Sequence, residues 1–312
     1  MIPASDTLLP AGREVPFSDI EVTLARLVRD GRRRKGAPAR ALTATVVVVG
    51  ARDRLVAAAD ALEHMSEAGG VRAILISEGT HTAPTARVTE HSIAIAGLAP
   101  RFLNNAVAAL RLSSLPMAVW WRGGSAEALD DVAVLADRLI VDCDDPSREW
   151  TDAAALVEKT TMTDLHWTRL TRWRSVFAHL FDLPDVRGAV ARRLCITASD
   201  PFSARLFAGW LRATLEWGPE VALDLQASDS ANPRSPLETV QLDAGPLQVV
   251  LSVHPGGGCL RGSIDGAETT ARVVPLGDGT LTSLIGEELG VRTRDIAFER
   301  ALAAALEIPA WA

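Results

Sequence analysis

Between Ala41 and Cys143 the chain repeats one pattern: a short apolar run, a turn, then a stretch with helical spacing. LTATVVVVG (42–50) is rich in β-branched residues and has no apolar–polar alternation, as expected of a strand covered on both faces. ARDRLVAAADALEHMSEAGG (51–70) reads as a helix closed by Gly69 and Gly70. VRAILIS (71–77) and HSIAIAG (91–97) read as strands, and RFLNNAVAALRLSSL (101–115) as a helix stopped by Pro116. MAVWW (117–121) and LIVDC (139–143) are further strands around a helix, SAEALDDVAVLADR (125–138), opened by Ser125. Strands and helices alternating through short connections predict a mainly parallel α/β sheet.

The flanks read differently. Residues 1–17 carry Pro3, Pro10, Gly12 and Pro16 and predict an extended arm. Ser18 or Asp19 is placed to cap a helix through Val28, and GRRRKGAP (Gly31 to Pro38) reads as a solvated loop in preference to an anion patch. Downstream, a short helix is expected over Asp152–Thr160 and a longer one over Thr163–Asp182. VARRLCITAS (190–199) reads as a strand, followed by a helix with Asp200 at its N-cap, Pro201 at N1 and Gly218-Pro219 at its end. The period then changes. VALDLQ, TVQLD and LQVVLSV alternate apolar and polar residues, which predicts an antiparallel meander, with GCLRGSI and ARVVPL as added strands. Helices over Thr282–Leu289 and Thr293–Leu306 close the chain. The expectation is therefore α/β: an N-terminal, mainly parallel α/β domain over residues 1–160, then an α+β domain with an antiparallel sheet over residues 161–312.

Charge and composition narrow the function. Of 312 residues, 48% are hydrophobic and 23% charged, which excludes a disordered chain. The net charge of −7 disfavours nucleic acid or an anionic membrane as partner. Only Lys35 and Lys159 are lysines, so abundant arginine is by itself weak evidence for any ligand. Cys143, Cys195 and Cys259 form no CxxC pair, so neither a disulfide framework nor a structural zinc site is expected. No basic-then-apolar leader opens the sequence, and no apolar run approaches the ~20 residues of a membrane helix. The expected location is the cytoplasm.

A search for catalytic motifs returns little. The first strand is followed by Gly50-Ala51-Arg52-Asp53-Arg54, which lacks the glycines of a dinucleotide turn, and GxxxxGK[ST] is absent. HPGGGCLRGS (254–263) resembles an esterase oxyanion loop, but the nearest candidate for a serine elbow, Gly123-Gly124-Ser125-Ala126-Glu127, lacks its last glycine. A glycine-rich hairpin is the plainer reading. Asp142, Asp144 and Asp145 follow a strand where they could hold a hard cation, yet aspartates there more often cap loops. His64, His81, His91, His166, His179 and His254 show no HExxH pairing. No cofactor, metal or catalytic set is expected.

Two segments stand out. SSLPMAVWWRGG (113–124) delivers Trp120, Trp121 and Arg122 to a strand end, with the tryptophans on opposite faces. Both can be read as core anchors. In TDLHWTRLTRWRSVFAHLFD (163–182), Trp167, Leu170, Trp173, Phe177 and Phe181 share one helical stripe, with His166 and Arg174 inside it, Arg169 flanking and Arg172 pointing away. A guanidinium on an apolar face needs a partner. It is either an internal carboxylate or another protein, for which Trp and Arg are the commonest anchors. Trp120, Trp121, Arg122, Trp167, Arg169, Arg172, Trp173 and Arg174 are the candidate partner-binding residues.

"LPMAVWWRG", "ADRLIVDC" and "DLHWTRLTRWRSVFAHLFD" resemble, in order, the signature blocks of the glucose-6-phosphate dehydrogenase assembly protein (OpcA) family. Weaker agreement runs through "VRAILIS", "HSIAIAG", "FAGWLRATLEWG" and "DIAFERALAAAL". The resemblance implies a non-enzymatic partner of glucose-6-phosphate dehydrogenase that promotes its oligomeric assembly or allosteric activation in the oxidative pentose phosphate pathway. Where members commonly carry His-Pro-Ser-Arg, this chain keeps only Arg72. It also lacks the neighbouring cysteine pair on which thiol control of cyanobacterial members depends. The alternative from another class is a sugar-phosphate enzyme or small-molecule sensor working from the strand-end crevice near Arg122 and Asp142.

Overall fold

The computed structural model describes residues 12–35, 41–81, 84–184, 186, 188–229, 232–265 and 272–309. The chain divides into two compact units, one formed by Met1–Asp144, Asp152–Thr163 and Ile285–Arg294, the other by Asp145–Thr151, Asp164–Leu284 and Asp295–Ala312.

The first unit opens with β1 (Arg13–Pro16) and α1 (Ile20–Lys35). It continues through β2 (Ala44–Gly50), α2 (Arg52–Gly69), β3 (Val71–His81), β4 (Thr85–Val88), β5 (Ser92–Leu98) and α3 (Leu103–Leu110). β6 (Met117–Arg122), α4 (Ala126–Ala133) and β7 (Arg138–Val141) follow. α5 (Ser147–Thr151) counts with the second unit, α6 (Ala153–Lys159) with the first, and β8 (Thr161–Asp164) ends the sheet. The strand order is β1-β4-β5-β3-β2-β6-β7-β8. β5, β3, β2, β6 and β7 are parallel neighbours, whereas β4 turns back on β5 and β1 lies antiparallel on β4. The mainly parallel sheet expected from the apolar runs is present, and all seven residues of β2 are buried. After β2 the chain builds outward through β3 and β5, then crosses back to place β6 on the other side of β2. Such a reversal leaves a crevice at the C-terminal strand ends.

Local differences have local causes. α1 continues to Lys35, so Gly31–Lys35 is helical and not a loop. Arginine and lysine are good helix formers, and their charge suits a helix C-terminus. Gly36, Ala37 and Pro38 of the expected loop, and Pro3 and Pro10 of the expected arm, lie outside the described residues. Arg72, at the start of β3, is buried and ion-paired to Glu21 of α1.

The second unit holds α7 (Leu165–Thr168), α8 (Thr171–Phe181), β9 (Arg193–Ala198), α9 (Pro201–Thr214) and β10 (Ala222–Ala227). β11 (Leu237–Ala244), β12 (Leu247–Val253), β13 (Cys259–Asp265) and β14 (Arg272–Pro275) come next. α10 (Leu281–Gly290) passes its later residues to the first unit, and α11 (Ile296–Leu306) closes the second. The sheet order is β10-β9-β11-β12-β13-β14. β9 through β14 pair antiparallel, apart from β10, which lies parallel to β9. VALDLQ is thus not the first strand of the meander: α9 carries the chain across, and a helical crossover returns a strand parallel to the one it left. Asp200 caps α9 as expected, accepting from the Phe202 and Ser203 amides at 3.1 and 3.2 Å.

The helix expected over Thr163–Asp182 is broken. Its first residues belong to β8, where β-branched Thr161 and Thr163 suit a strand. Asp164 then caps the short α7 by accepting from the His166 amide at 2.8 Å, and α8 starts afresh at Thr171. Among the described residues no helix is long and apolar enough to cross a membrane.

Candidate functional site

In the first unit, the two tryptophans of β6 point to opposite faces and neither is exposed. Adjacent bulky residues can both be buried only because the sheet is covered on both sides. Trp120 donates its indole N–H to Asp142 at 3.1 Å. The same carboxylate oxygen faces the Arg122 Nε at 2.8 Å, and the Arg122 guanidinium lies 5.0 Å from the Trp120 ring centroid. Arg122 also donates to the Arg54 carbonyl, and Arg54 donates to the Asp142 carbonyl at 3.2 Å and pairs with Asp144. Asp145 accepts from the Ser147 amide, and its bonds to Ser147 hold its carboxyl below the usual range. The three aspartates therefore serve arginines, an indole and a turn, and among the described residues no group of His, Cys, Asp and Glu is arranged to hold a metal. In the second unit, HPGGG (254–258) forms the connection between β12 and β13, closed by the His254 amide donating to the Cys259 carbonyl at 2.8 Å, and CLRGS begins β13.

Beside Arg122 lies a cleft of about 580 Å³ at the C-terminal ends of β2, β3, β5 and β6. Its charged lining is Arg52, Arg54, Arg122 and Glu78. Glu78 is half-buried, with Oε1 accepting from the Ser125 amide at 2.9 Å. Gly124 packs so close that a Cβ there would run into that carboxylate, and one on Gly79 would strike the Gly97 backbone. The fold thus brings together positions from 50 to 124, of which only Arg122 stood out in the sequence. The missed signal was glycine directly after several strands.

In the second unit, the aromatic stripe faces inward. Trp167 and Trp173 are buried, and each indole N–H is satisfied, by Asp295 at 2.8 Å and Ser235 at 2.9 Å. Arg174 lies with its guanidinium 3.6 Å from the Trp167 ring centroid, a cation–π contact on the otherwise apolar face. Phe177 packs edge-on to Phe207 and Trp210. The four tryptophans named from the sequence, Trp120, Trp121, Trp167 and Trp173, therefore present no surface to a partner. Arg172 is exposed and Arg169 partly so.

Next to this stripe sits a buried polar cluster that the sequence did not announce. Asp164 accepts from Trp150 Nε1 at 2.8 Å and faces His166 Nδ1 at 2.6 Å. His166 Nε2 is 3.7 Å from Asp200, the cap of α9. Burial pushes the imidazole pKa down, but the charge and hydrogen bond of Asp164, with Asp200 behind, outweigh it and raise it to about 9 despite Arg169. The imidazole is thus a cation at neutral pH. Held between two carboxylates, it serves as a fixed tie and not as a general base.

The geometry defines a two-unit protein: an open-sheet α/β unit with a strand-end cleft, and an α+β unit whose arginine-rich helices are anchored by buried tryptophans. Residues 160–302 match the family described as the C-terminal domain of a glucose-6-phosphate dehydrogenase subunit. The OxPP cycle protein OpcA of Synechocystis sp. (strain ATCC 27184 / PCC 6803 / Kazusa) is 30% identical over 129 residues, 38% of this chain and 27% of that protein. These findings show similarity, over part of the chain, to the OpcA family that its sequence blocks resemble. The match spans about a quarter of the relative's length. An oxidoreductase from Sinorhizobium meliloti and an aldose-aldose oxidoreductase from Caulobacter crescentus each align over 85% of this chain and 95% of their own, at 9% identity, with TM-scores of 0.47 and 0.49. Likeness that slight carries no activity across.

Proposed function

We propose that this chain is a non-enzymatic accessory protein that binds glucose-6-phosphate dehydrogenase and promotes its oligomeric assembly and allosteric activation in the oxidative pentose phosphate pathway. The observation that carries the reading is the match of residues 160–302 to a domain described as belonging to a subunit of that dehydrogenase. The site geometry agrees with it. Buried tryptophans stiffen α7 and α8, so that Arg172, with Arg169 beside it, is offered from a rigid support. The cytoplasm, where the dehydrogenase works, is the compartment this reading requires. The competing enzyme reading is weakened by the engagement of Arg122 and Asp142 with each other and with Trp120.

The test is to mix the purified chain with the dehydrogenase and follow both mass in solution and turnover. A complex larger than either protein, with raised activity or altered subunit number, is expected. Separate elution with unchanged kinetics at micromolar concentrations of both would sink the proposal.

A further inference from the structure

We propose that copies of this chain associate head to tail through the first unit, with α1 of one copy lying antiparallel on α4 of the next. The two helices carry opposite charge on faces whose direction is fixed by burial. In α1, Ile20, Thr23 and Gly31 are buried, and Leu24, Leu27 and Val28 are half-buried. That stripe turns the other side of the helix to solvent, where Val22, Arg26, Arg29 and Arg33 are exposed in one row. In α4, Ala128, Leu129, Val132 and Ala133 are buried. Its outer row holds Glu127 and Asp130, both exposed, the half-buried Asp131, and Val134 at the helix end.

The sign of the charge points to a second copy. Six of the ten residues from Arg26 to Lys35 are basic in a chain of net charge −7, so the rest of the chain supplies the complement. Among the described residues, no ion pair or hydrogen bond engages the side chains of Arg26, Arg29, Glu127 or Asp131. Asp130 is already answered by Lys159, and Asp30 subtracts from the charge beside the arginine row.

The spacing of the rows agrees as well. Val22 and Val134 are 64% and 63% exposed and serve as the reference points. Arg26 and Arg29 stand four and seven residues along α1 from Val22, and Asp131 and Glu127 stand three and seven residues back from Val134. At the helical rise per residue, the farther pair falls at about 10 Å in both helices, and the nearer at about 6 and 4.5 Å. Antiparallel docking therefore sets Val22 against Val134, Arg26 against Asp131 and Arg29 against Glu127. It also opposes the two helix dipoles. The contact joins different faces of two copies, so it builds chains or a ring. One pair of helix faces is a small interface and exposed ion pairs are weak, so the association is weak and sensitive to salt.

The test is sedimentation velocity of the full chain from about 10 to 300 μM, in about 20 mM and about 500 mM salt. Average mass should rise with concentration at low salt and return to the monomer at high salt. Arg26→Glu with Arg29→Glu makes both helices acidic, and Glu127→Arg with Asp131→Arg makes both basic. Each variant alone should stay monomeric. An equal mixture of the two should regain mass, because each reversed face meets its opposite. The neutral pair Glu127→Gln with Asp131→Asn puts no cation in the first turn of α4, so it should keep the wild-type melting temperature. Its association should be weaker by about fivefold or more. A wild type that stays monomeric at every concentration in low salt overturns the proposal. So does undiminished association in the neutral variant, or a mixture of folded charge-reversed variants that remains monomeric.

Discussion

The Nε of Arg122 and a carboxylate oxygen of Asp142 face each other at 2.8 Å across the ends of β6 and β7, over the indole of Trp120, which donates to the same oxygen. Both side chains are about nine-tenths buried. Removing the carboxylate leaves a guanidinium and an indole N–H with their shared acceptor gone. Asp142→Ala should therefore cost about 3–5 kcal/mol, the range for breaking one partner of a buried pair. Chemical denaturation of the variant against wild type measures it, and a loss under about 1 kcal/mol would show that water reaches Arg122 freely.

A second buried pair spans 150 residues of sequence. Arg138 Nε donates to Glu288 at 3.1 Å, and both side chains are under a tenth exposed. Glu288→Ala should destabilise by about 3 kcal/mol or more, whereas Arg138→Met combined with Glu288→Leu should recover most of that loss. The double-mutant cycle is the measurement. Additive losses would mean the two groups are not coupled.

Much of this was readable from residues, and what was not has a physical cause. The β-branched run of β2 and the apolar β6 could only be strands buried on both faces, and Asp200-Pro201 could only open a helix. Arg174 on an apolar stripe pointed to a carboxylate or another protein as partner. Its guanidinium lies instead over the Trp167 ring, a contact within the stripe that the sequence reading did not name. The direction of the tryptophans was not readable, because a stripe that faces the core and one that awaits a partner have the same period. β8 was missed because its four residues run into α7 without a glycine or proline between them. The cleft is assembled from strand ends spread over positions 50 to 124, so no local window contains it.

The imidazole of His166 gives stability a pH dependence. Its pKa of about 9 in the folded chain lies above the ordinary 6.5. Protonation therefore favours the folded state: the contribution is complete below about pH 6.5 and disappears as pH rises through 9. Its size is on the order of 3 kcal/mol. Unfolding midpoints should fall between pH 6.5 and 9.5 in wild type and change much less in His166→Gln. Proton NMR should find this ring still protonated at pH 7.5.

Thiol chemistry should not control this chain. Cys143, Cys195 and Cys259 form no disulfide, and burial together with the nearby Asp224 carboxylate pushes the Cys195 thiol up. A raised pKa lowers the thiolate fraction and hence the rate of attack on a disulfide. Slow modification of Cys195 by a thiol reagent at pH 7.5, and no intramolecular disulfide by mass spectrometry after oxidation, are expected. A disulfide that changes activation of the dehydrogenase would refute this.

The partner surface can be separated from the core that supports it. Trp173 is fully buried and its indole N–H is satisfied by Ser235. Trp173→Ala should cost about 3–5 kcal/mol through the cavity it leaves, and any loss of binding would then be a loss of folding. Arg174→Ala removes the cation stacked on Trp167 and should cost less, about 1–2 kcal/mol, since that ring keeps its hydrogen bond to Asp295. Arg172 is different: it is exposed, on the side of α8 away from the aromatic stripe. Arg172→Glu should shift the melting temperature little, because surface changes usually stay within about 0.5 kcal/mol. If α8 meets the dehydrogenase through this face, reversing the charge should slow association and flatten its dependence on salt. Arg169→Glu is the weaker companion, because Arg169 also acts on His166 and its reversal would hold that ring protonated to still higher pH. Association rates of the two variants at low and high ionic strength read the result. If both melt like wild type and bind and activate the dehydrogenase unchanged, the docking face lies off α7 and α8.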